Sequence, residues 1–207
     1  PVTPVIASSI FEGFTRESAI SLLEQIPGNQ WDNIGQVESR ARLTFANLQK
    51  INTIDYINSK SKESGIDPLL TLAVITVESS GVQSAVSRGE NNEPLAYGLM
   101  QIYHGAHPEY DLDKLKNNPR YNIDGGIKIL NDGYKNYATN DGQYMDTVSK
   151  GCSSQSEINK REKYTEWQRA LRAYNGFGCT INADNSFVEK IMVSYYVWSE
   201  LYPSLIT

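Results

Sequence analysis

Glu78 is the residue of this chain best placed for acid–base chemistry, because an almost wholly apolar stretch leads up to it. Leu69 to Val77 reads LLTLAVITV, seven of nine residues apolar, opened by Asp67-Pro68 and followed shortly by Gly81. Asp before Pro is a helix start: the carboxylate accepts from the first amides and Pro is pre-set for the first turn. Apolar residues all round the cylinder predict a buried helix. A carboxyl at its C-terminal end is desolvated and meets the negative end of the helix dipole. Both effects penalise the ionised form and raise the pKa, as a general acid working near neutrality requires. The same Glu turned towards water would be an ordinary solvated charge.

The other residue types with a chemistry of their own are sparse. His104 and His107 are the only histidines, and Cys152 and Cys179 the only cysteines. Structural zinc uses close pairs of ligands, whereas these cysteines stand 27 positions apart, and Gly105 and Pro108 place the histidines in a loop. No metal site is expected. Neither histidine adjoins a serine or cysteine in a nucleophile context.

Glu78-Ser79-Ser80-Gly81 is followed by Gly98-Leu99-Met100-Gln101-Ile102, by Asn122-Ile123 with Gly125-Gly126, and by Ala173-Tyr174-Asn175-Gly176. In this order the four segments resemble the landmarks of the lytic transglycosylase / goose-type lysozyme superfamily, the SLT-like proteins that cut the glycan strands of peptidoglycan. The resemblance covers roughly Ile66 to Gly176, with a weaker echo from Phe187-Val188 to Tyr196. It implies a mainly α, lysozyme-like helical fold around a buried central helix, with at most a small β-hairpin, placed in 82–103. It implies an enzyme that cleaves the MurNAc-GlcNAc β-1,4 bond with Glu78 as single acid/base. The N-acetyl carbonyl would assist, and 1,6-anhydro-MurNAc ends would result. The alternatives are a goose-type lysozyme hydrolysing the same bond and a glycan-binding module without turnover. The implied partner is the peptidoglycan glycan strand, and no cofactor is implied.

The resemblance also distributes roles. Gln101 is expected in the glycan groove, although its amide can equally bond local backbone. Ser87 matches a serine near the N-acetyl group, or is a loop hydroxyl. Tyr174 is expected near the catalytic carboxyl while also fitting a core stripe with Trp167 and Leu171. Asn175 is expected in substrate or loop support, and Asn122 as structural support, by helix capping or substrate contact. Tyr103 stands where many transglycosylases carry Met followed by Pro, and offers a sugar-stacking platform. In the goose-type branch an acidic residue commonly occupies this position. Its replacement by Tyr103 favours transglycosylation, with Glu90 or Glu93 as carboxylates that a hydrolase would have to recruit. The family's late tyrosine is Phe187 here. An exported wall-cutting enzyme implies a Cys152–Cys179 disulfide between two turn-rich segments, against the alternative of two reduced thiols.

Positioning these residues calls for a helical frame. Glu17 to Ile26 reads as a short helix ended by Pro27-Gly28. Val37 to Ser64 lacks Gly and Pro and reads as one long or broken helix before Gly65. After the Glu78 helix, 82–121 is loop-rich. Helices are expected from Asn122 to about Ala138, from Thr165 to Asn175 and from Ser186 to about Leu201. Residues 1–55 are expected as an N-terminal helical cap packed on a catalytic domain of 56–207. An inserted loop at about 139–164 would be pinned by the disulfide.

The chain has 207 residues, 40 % of them hydrophobic, and a net charge of −5. That suits one domain, or one domain with an appended helical segment, with a real core, and provides no basic field for nucleic acid. No apolar run approaches the roughly 20 residues needed to span a bilayer. The opening at Pro1, with no basic and apolar leader, is read as a processed or trimmed chain. A monomer acting outside the cytoplasm is expected: periplasmic, wall-associated, secreted or phage-associated.

Overall fold

The computed structural model describes residues 11, 13–27, 31–179 and 184–205. Gly28 and the start of the chain, on which two expectations fell, lie outside them. The described residues fall into two compact units, Pro1–Ile127 with Lys190–Thr207, and Lys128–Glu189.

The first unit contains helices α1 (Arg16–Leu23), α2 (Ile34–Lys50), α3 (Ile54–Glu63), α4 (Pro68–Glu78) and α5 (Leu112–Asn117). It also holds strands β1 (Val86–Arg88), β2 (Pro94–Tyr97) and β3 (Ile102–Tyr103). Helix α6 (Pro119–Tyr137) leaves this unit after Ile127, and α10 (Phe187–Leu201) enters it at Lys190. Helix α4 is its centre, with every residue from Pro68 to Thr76 buried. Each Leu, Ile or Val removed from water there contributes about 1.5–3 kcal/mol. The start follows the Asp67-Pro68 signal: Asp67 Oδ1 accepts from Leu69 N (2.8 Å) and Oδ2 from the Tyr195 hydroxyl of α10 (2.5 Å). Trp198, fully buried on α10, donates its indole N–H to Thr76 Oγ1 (2.9 Å), which itself donates to the Leu72 carbonyl.

The long or broken helix expected over 37–64 is the broken one, in two pieces. Asn52 takes a left-handed φ of 51° between α2 and α3, a conformation that asparagine tolerates better than most residues. The sheet has one strand more than the hairpin expected, in the antiparallel order β1-β2-β3. Ser87, Ala96 and Tyr103 are directly paired and share one face, while Val86, Tyr97 and Ile102 share the other.

The second unit holds the rest of α6, then α7 (Asp141–Gly151), α8 (Gln155–Arg161), α9 (Glu166–Asn175) and the start of α10. The inserted stretch 139–164 is therefore helical, with Tyr144, Val148, Cys152 and Arg161 buried. Gly133 of α6 lets α9 approach closely, since a Cβ there would lie 3.1 Å from the Ala170 carbonyl. Cys152 and Cys179 form a disulfide.

Candidate active site

Helix α4 ends on Glu78, which is half-buried, and three consecutive residues fix the turn that follows. The Ser79 hydroxyl donates to the Leu99 carbonyl at 2.7 Å and accepts from Gly81 N at 3.2 Å. Ser80 and Gly81 both take left-handed φ, 51° and 77°. Gly81 is obligatory, because an added Cβ would lie 2.8 Å from the Thr44 carbonyl of α2. Asn47 of α2 donates to the Ser80 carbonyl at 3.0 Å. The Glu-Ser-Ser-Gly segment is thus a helix end clamped between α2 and the turn around Leu99.

The Gly-Leu-Met-Gln segment is built the same way. Gly98 takes φ 79°, and a Cβ there would lie 2.3 Å from Asn122 Nδ2. Asn122, wholly buried, accepts from Met100 N (2.8 Å) and donates to the carbonyls of Tyr97 (2.8 Å) and Leu115 (3.2 Å). Helix α6 begins at Pro119, so Asn122 lies inside it and braces the loop from there. Gly126 leaves room for Met100, whose Sδ would lie 2.3 Å from an added Cβ. Gln101, at φ 46°, donates both amide hydrogens to backbone, to Ala85 O (3.0 Å) and Gly98 O (2.8 Å), and accepts from Ser87 N (3.0 Å). Its amide ties β1 to the loop. Ser87 Oγ accepts from Ala96 N at 3.2 Å, and Tyr103 is 49 % exposed on the same sheet face.

Glu78, Ser87, Gln101, Tyr103 and Asn122 therefore belong to one unit, linked through Ser79–Leu99, Met100–Asn122 and Gln101–Ser87. Glu93 folds onto its own turn, its Oε2 accepting from Asn91 N at 3.0 Å. His104 Nε2 meets the Tyr110 carbonyl (3.2 Å) and His107 Nδ1 meets Glu109 (3.3 Å). Among the described residues no group of three or more potential ligands is arranged to hold a metal ion.

Tyr174 and Asn175 lie in the second unit, at the end of α9. The Tyr174 ring is near-parallel to that of Phe187, centroids 6.3 Å apart. Asn175 Oδ1 accepts from Arg172, and Gly176 follows at φ 89°. Arg161, Arg169 and Arg172 are all buried, which sequence reasoning missed because it assigns charges to the surface. One signal was present at Arg172: no acidic residue stands three or four positions away to pair with it along the helix. Burial, and after it the neighbouring Arg161, lowers the Arg172 pKa from its ordinary value. Tyr164 donates to Glu189 Oε1 at 2.6 Å, and Lys160 lies 3.2 Å from Oε2. Burial, then the charge of Glu189 and this hydrogen bond, raise the Tyr164 phenol far above its usual range.

The family model of the transglycosylase SLT domain matches residues 55–190. The chain belongs to this family. No curated protein matches the chain. The matched span contains every residue placed in this site except those of α2, whose Thr44 and Asn47 abut the turn after Glu78. SLT domains are glycosyl-cleaving enzymes that act on peptidoglycan, and the mainly helical fold with one small sheet fits that family. No helix among the described residues is long and apolar enough to cross a membrane.

Proposed function

We propose that this protein is a peptidoglycan lytic transglycosylase with Glu78 as its single catalytic acid and base. The observation that carries this is the placement of Glu78. It closes a helix buried from Pro68 to Thr76, and the next residue bonds it to the Gly-Leu-Met-Gln segment. Glu78 in its acid form protonates the bridging oxygen between MurNAc and GlcNAc as the bond to C1 breaks. The N-acetyl carbonyl oxygen of the same MurNAc closes on C1 and takes up the positive charge. Glu78, now a carboxylate, removes the proton of the C6 hydroxyl. The C6 oxygen then displaces the carbonyl oxygen from C1, which gives the 1,6-anhydro ring and returns Glu78 to its acid form. No water is consumed.

Two features support this outcome over hydrolysis. Tyr103 occupies the position after Gln101-Ile102 where the water-activating acid of the hydrolase branch is expected. Glu93, one of two nearby substitutes, is engaged in its own turn. Ser87, Gln101, Tyr103, Tyr174 and Asn175 are proposed to line or support the glycan site. Action on a cell wall places the enzyme outside the cytoplasm.

Glu78→Gln is expected to bind glycan while turnover falls at least about a hundredfold, the lower end of what a positioned general acid supplies. Turnover equal to the parent would remove Glu78 from the mechanism. Mass analysis of the released muropeptides decides the reaction type, because anhydro ends are lighter by one water than reducing ends. Reducing ends alone would make the enzyme a lysozyme.

A further inference from the structure

Gly105 settles where the Tyr103 ring lies. A Cβ added at Gly105 would come within 2.6 Å of both Cζ and the hydroxyl oxygen of Tyr103, and within 2.8 Å of its Cε2. No point in the plane of the ring lies at those distances from all three adjacent atoms, so the Cβ position is over the ring face. Tyr103 therefore lays one face against the backbone of the turn that follows it, where the amides of Ala106 and His107 both donate to the Tyr103 carbonyl at 3.1 Å. With 49 % of the residue exposed, the opposite face is the one that meets solvent.

The backbone itself does not call for glycine here. Gly105 keeps out of the left-handed region. The three atoms nearest its added Cβ are the tip of a side chain, whereas at Gly81 and Gly98 a backbone carbonyl stands 2.8 and 2.7 Å away. Alanine at such a position ordinarily stabilises, by restricting the unfolded chain. The chain forgoes that gain and keeps a half-exposed aromatic ring in one pose, ready to bind without further loss of side-chain freedom. The open face suits a ring-sized apolar surface. Across the ladder Tyr103 pairs with Ala96, and beyond Ala96 stands the Ser87 hydroxyl, two strand spacings or roughly 9.5 Å from Tyr103. The nearest exposed apolar strand residue, Val86, belongs to the other face. One aromatic ring flanked by a hydroxyl is too small for a protein partner, which buries a contiguous patch. It matches the C–H face of a pyranose, whose hydrogens meet the negative face of the ring.

We propose that Tyr103 and Gly105 form a pre-set platform on which one pyranose ring of the glycan strand stacks, Tyr103 as the contact and Gly105 as the positioning residue. This rests on the glycan-cleaving activity proposed above and deepens it, since the pose of the subsite is set by a residue that does not touch the sugar.

Calorimetric binding of purified peptide-free glycan oligomers to the Glu78→Gln protein reads the platform without turnover. In that background Tyr103→Ala should weaken binding roughly tenfold, the loss expected for one buried aromatic face. Tyr103→Phe should bind as tightly as Tyr103, because the face and not the hydroxyl makes the contact. Gly105→Ala should melt at or above the parent temperature and still weaken binding about three- to tenfold, because its Cβ pushes the ring off its seat. Added to Tyr103→Ala, it should cost less than about twofold more, since both act through one ring. Undiminished affinity in Tyr103→Ala or Gly105→Ala, or additive losses, overturns the platform and leaves the Glu78 assignment intact. A lowered melting temperature in Gly105→Ala also overturns it, because glycine would then serve the backbone. If the Glu78→Gln protein binds no oligomer, the platform falls. If the oligomers bind with the expected pattern and the parent protein cleaves none, the platform stands and the Glu78 assignment fails instead.

Discussion

Tyr144 carries a fully buried hydroxyl with no hydrogen-bond partner among the described residues. Burial pushes its phenol up to about 12, against the partial relief given by the arginines around it. The folded value lies above the unfolded one, near 10, so the unfolded chain loses its proton first. The stability tied to this group is complete below about pH 10 and is lost as pH rises to about 12. At 1.36 kcal/mol per pKa unit it amounts to roughly 2–3 kcal/mol. Tyr164, raised further and bonded to Glu189, adds a loss in the same direction. Tyr144→Phe removes both the ionisation and an unpartnered polar atom. At neutral pH it should therefore be as stable as the parent or slightly more so. Between pH 10 and 12 its urea midpoint should fall less steeply. A curve parallel to the parent's through that window would assign the alkaline loss to other groups.

At the scale of elements, α2 is the unexpected participant. It lies outside the family match, yet its Asn47 holds the Ser80 carbonyl and its Thr44 carbonyl demands glycine at position 81. Asn47→Ala should cost about 1 kcal/mol in stability for one lost hydrogen bond. It should also lower kcat while leaving KM nearly unchanged, because the turn after Glu78 loosens without loss of a proposed substrate contact. An unchanged kcat would confine α2 to packing. The elements that were legible had local signals: Asp67-Pro68 opened α4, and an apolar stripe announced α9. The position of the break at Asn52 was not marked, because no Gly or Pro stands there, although a broken helix was one of the two readings of 37–64. Helices α7 and α8 were hidden by polarity, although Tyr144, Val148 and Cys152 recur at helical spacing and are the buried side of that stretch. The place of Glu78 at the end of a buried helix was readable from its apolar approach. For Gln101 a groove role and a local-backbone role were both open, and its amide is bonded to the backbone of Ala85, Gly98 and Ser87. Arg172 gave only a negative signal, the lack of an acidic partner along α9, because buried charge is a property of tertiary surroundings.

For the whole molecule, the disulfide offers a test of how far the two units are independent. Cys152–Cys179 lies wholly within Lys128–Glu189 and closes a span of 27 positions that includes α8 and α9. A loop of that length is worth about 3–4 kcal/mol in the chain-entropy model. One end of the bridge adjoins Phe177 and Gly178, whose carbonyls Arg161 holds, so its removal takes one of two restraints from the segment after Asn175. The paired change Cys152→Ser with Cys179→Ser should lower the melting temperature and speed hydrogen exchange in α7, α8 and α9. Exchange in α4, which is held by Asp67–Tyr195 and Thr76–Trp198 inside the other unit, should be unaffected at temperatures below the melt. If α4 loses protection together with α9, the chain opens as a single cooperative body. The bridge would then stabilise the acid itself as well as the segment beside Asn175.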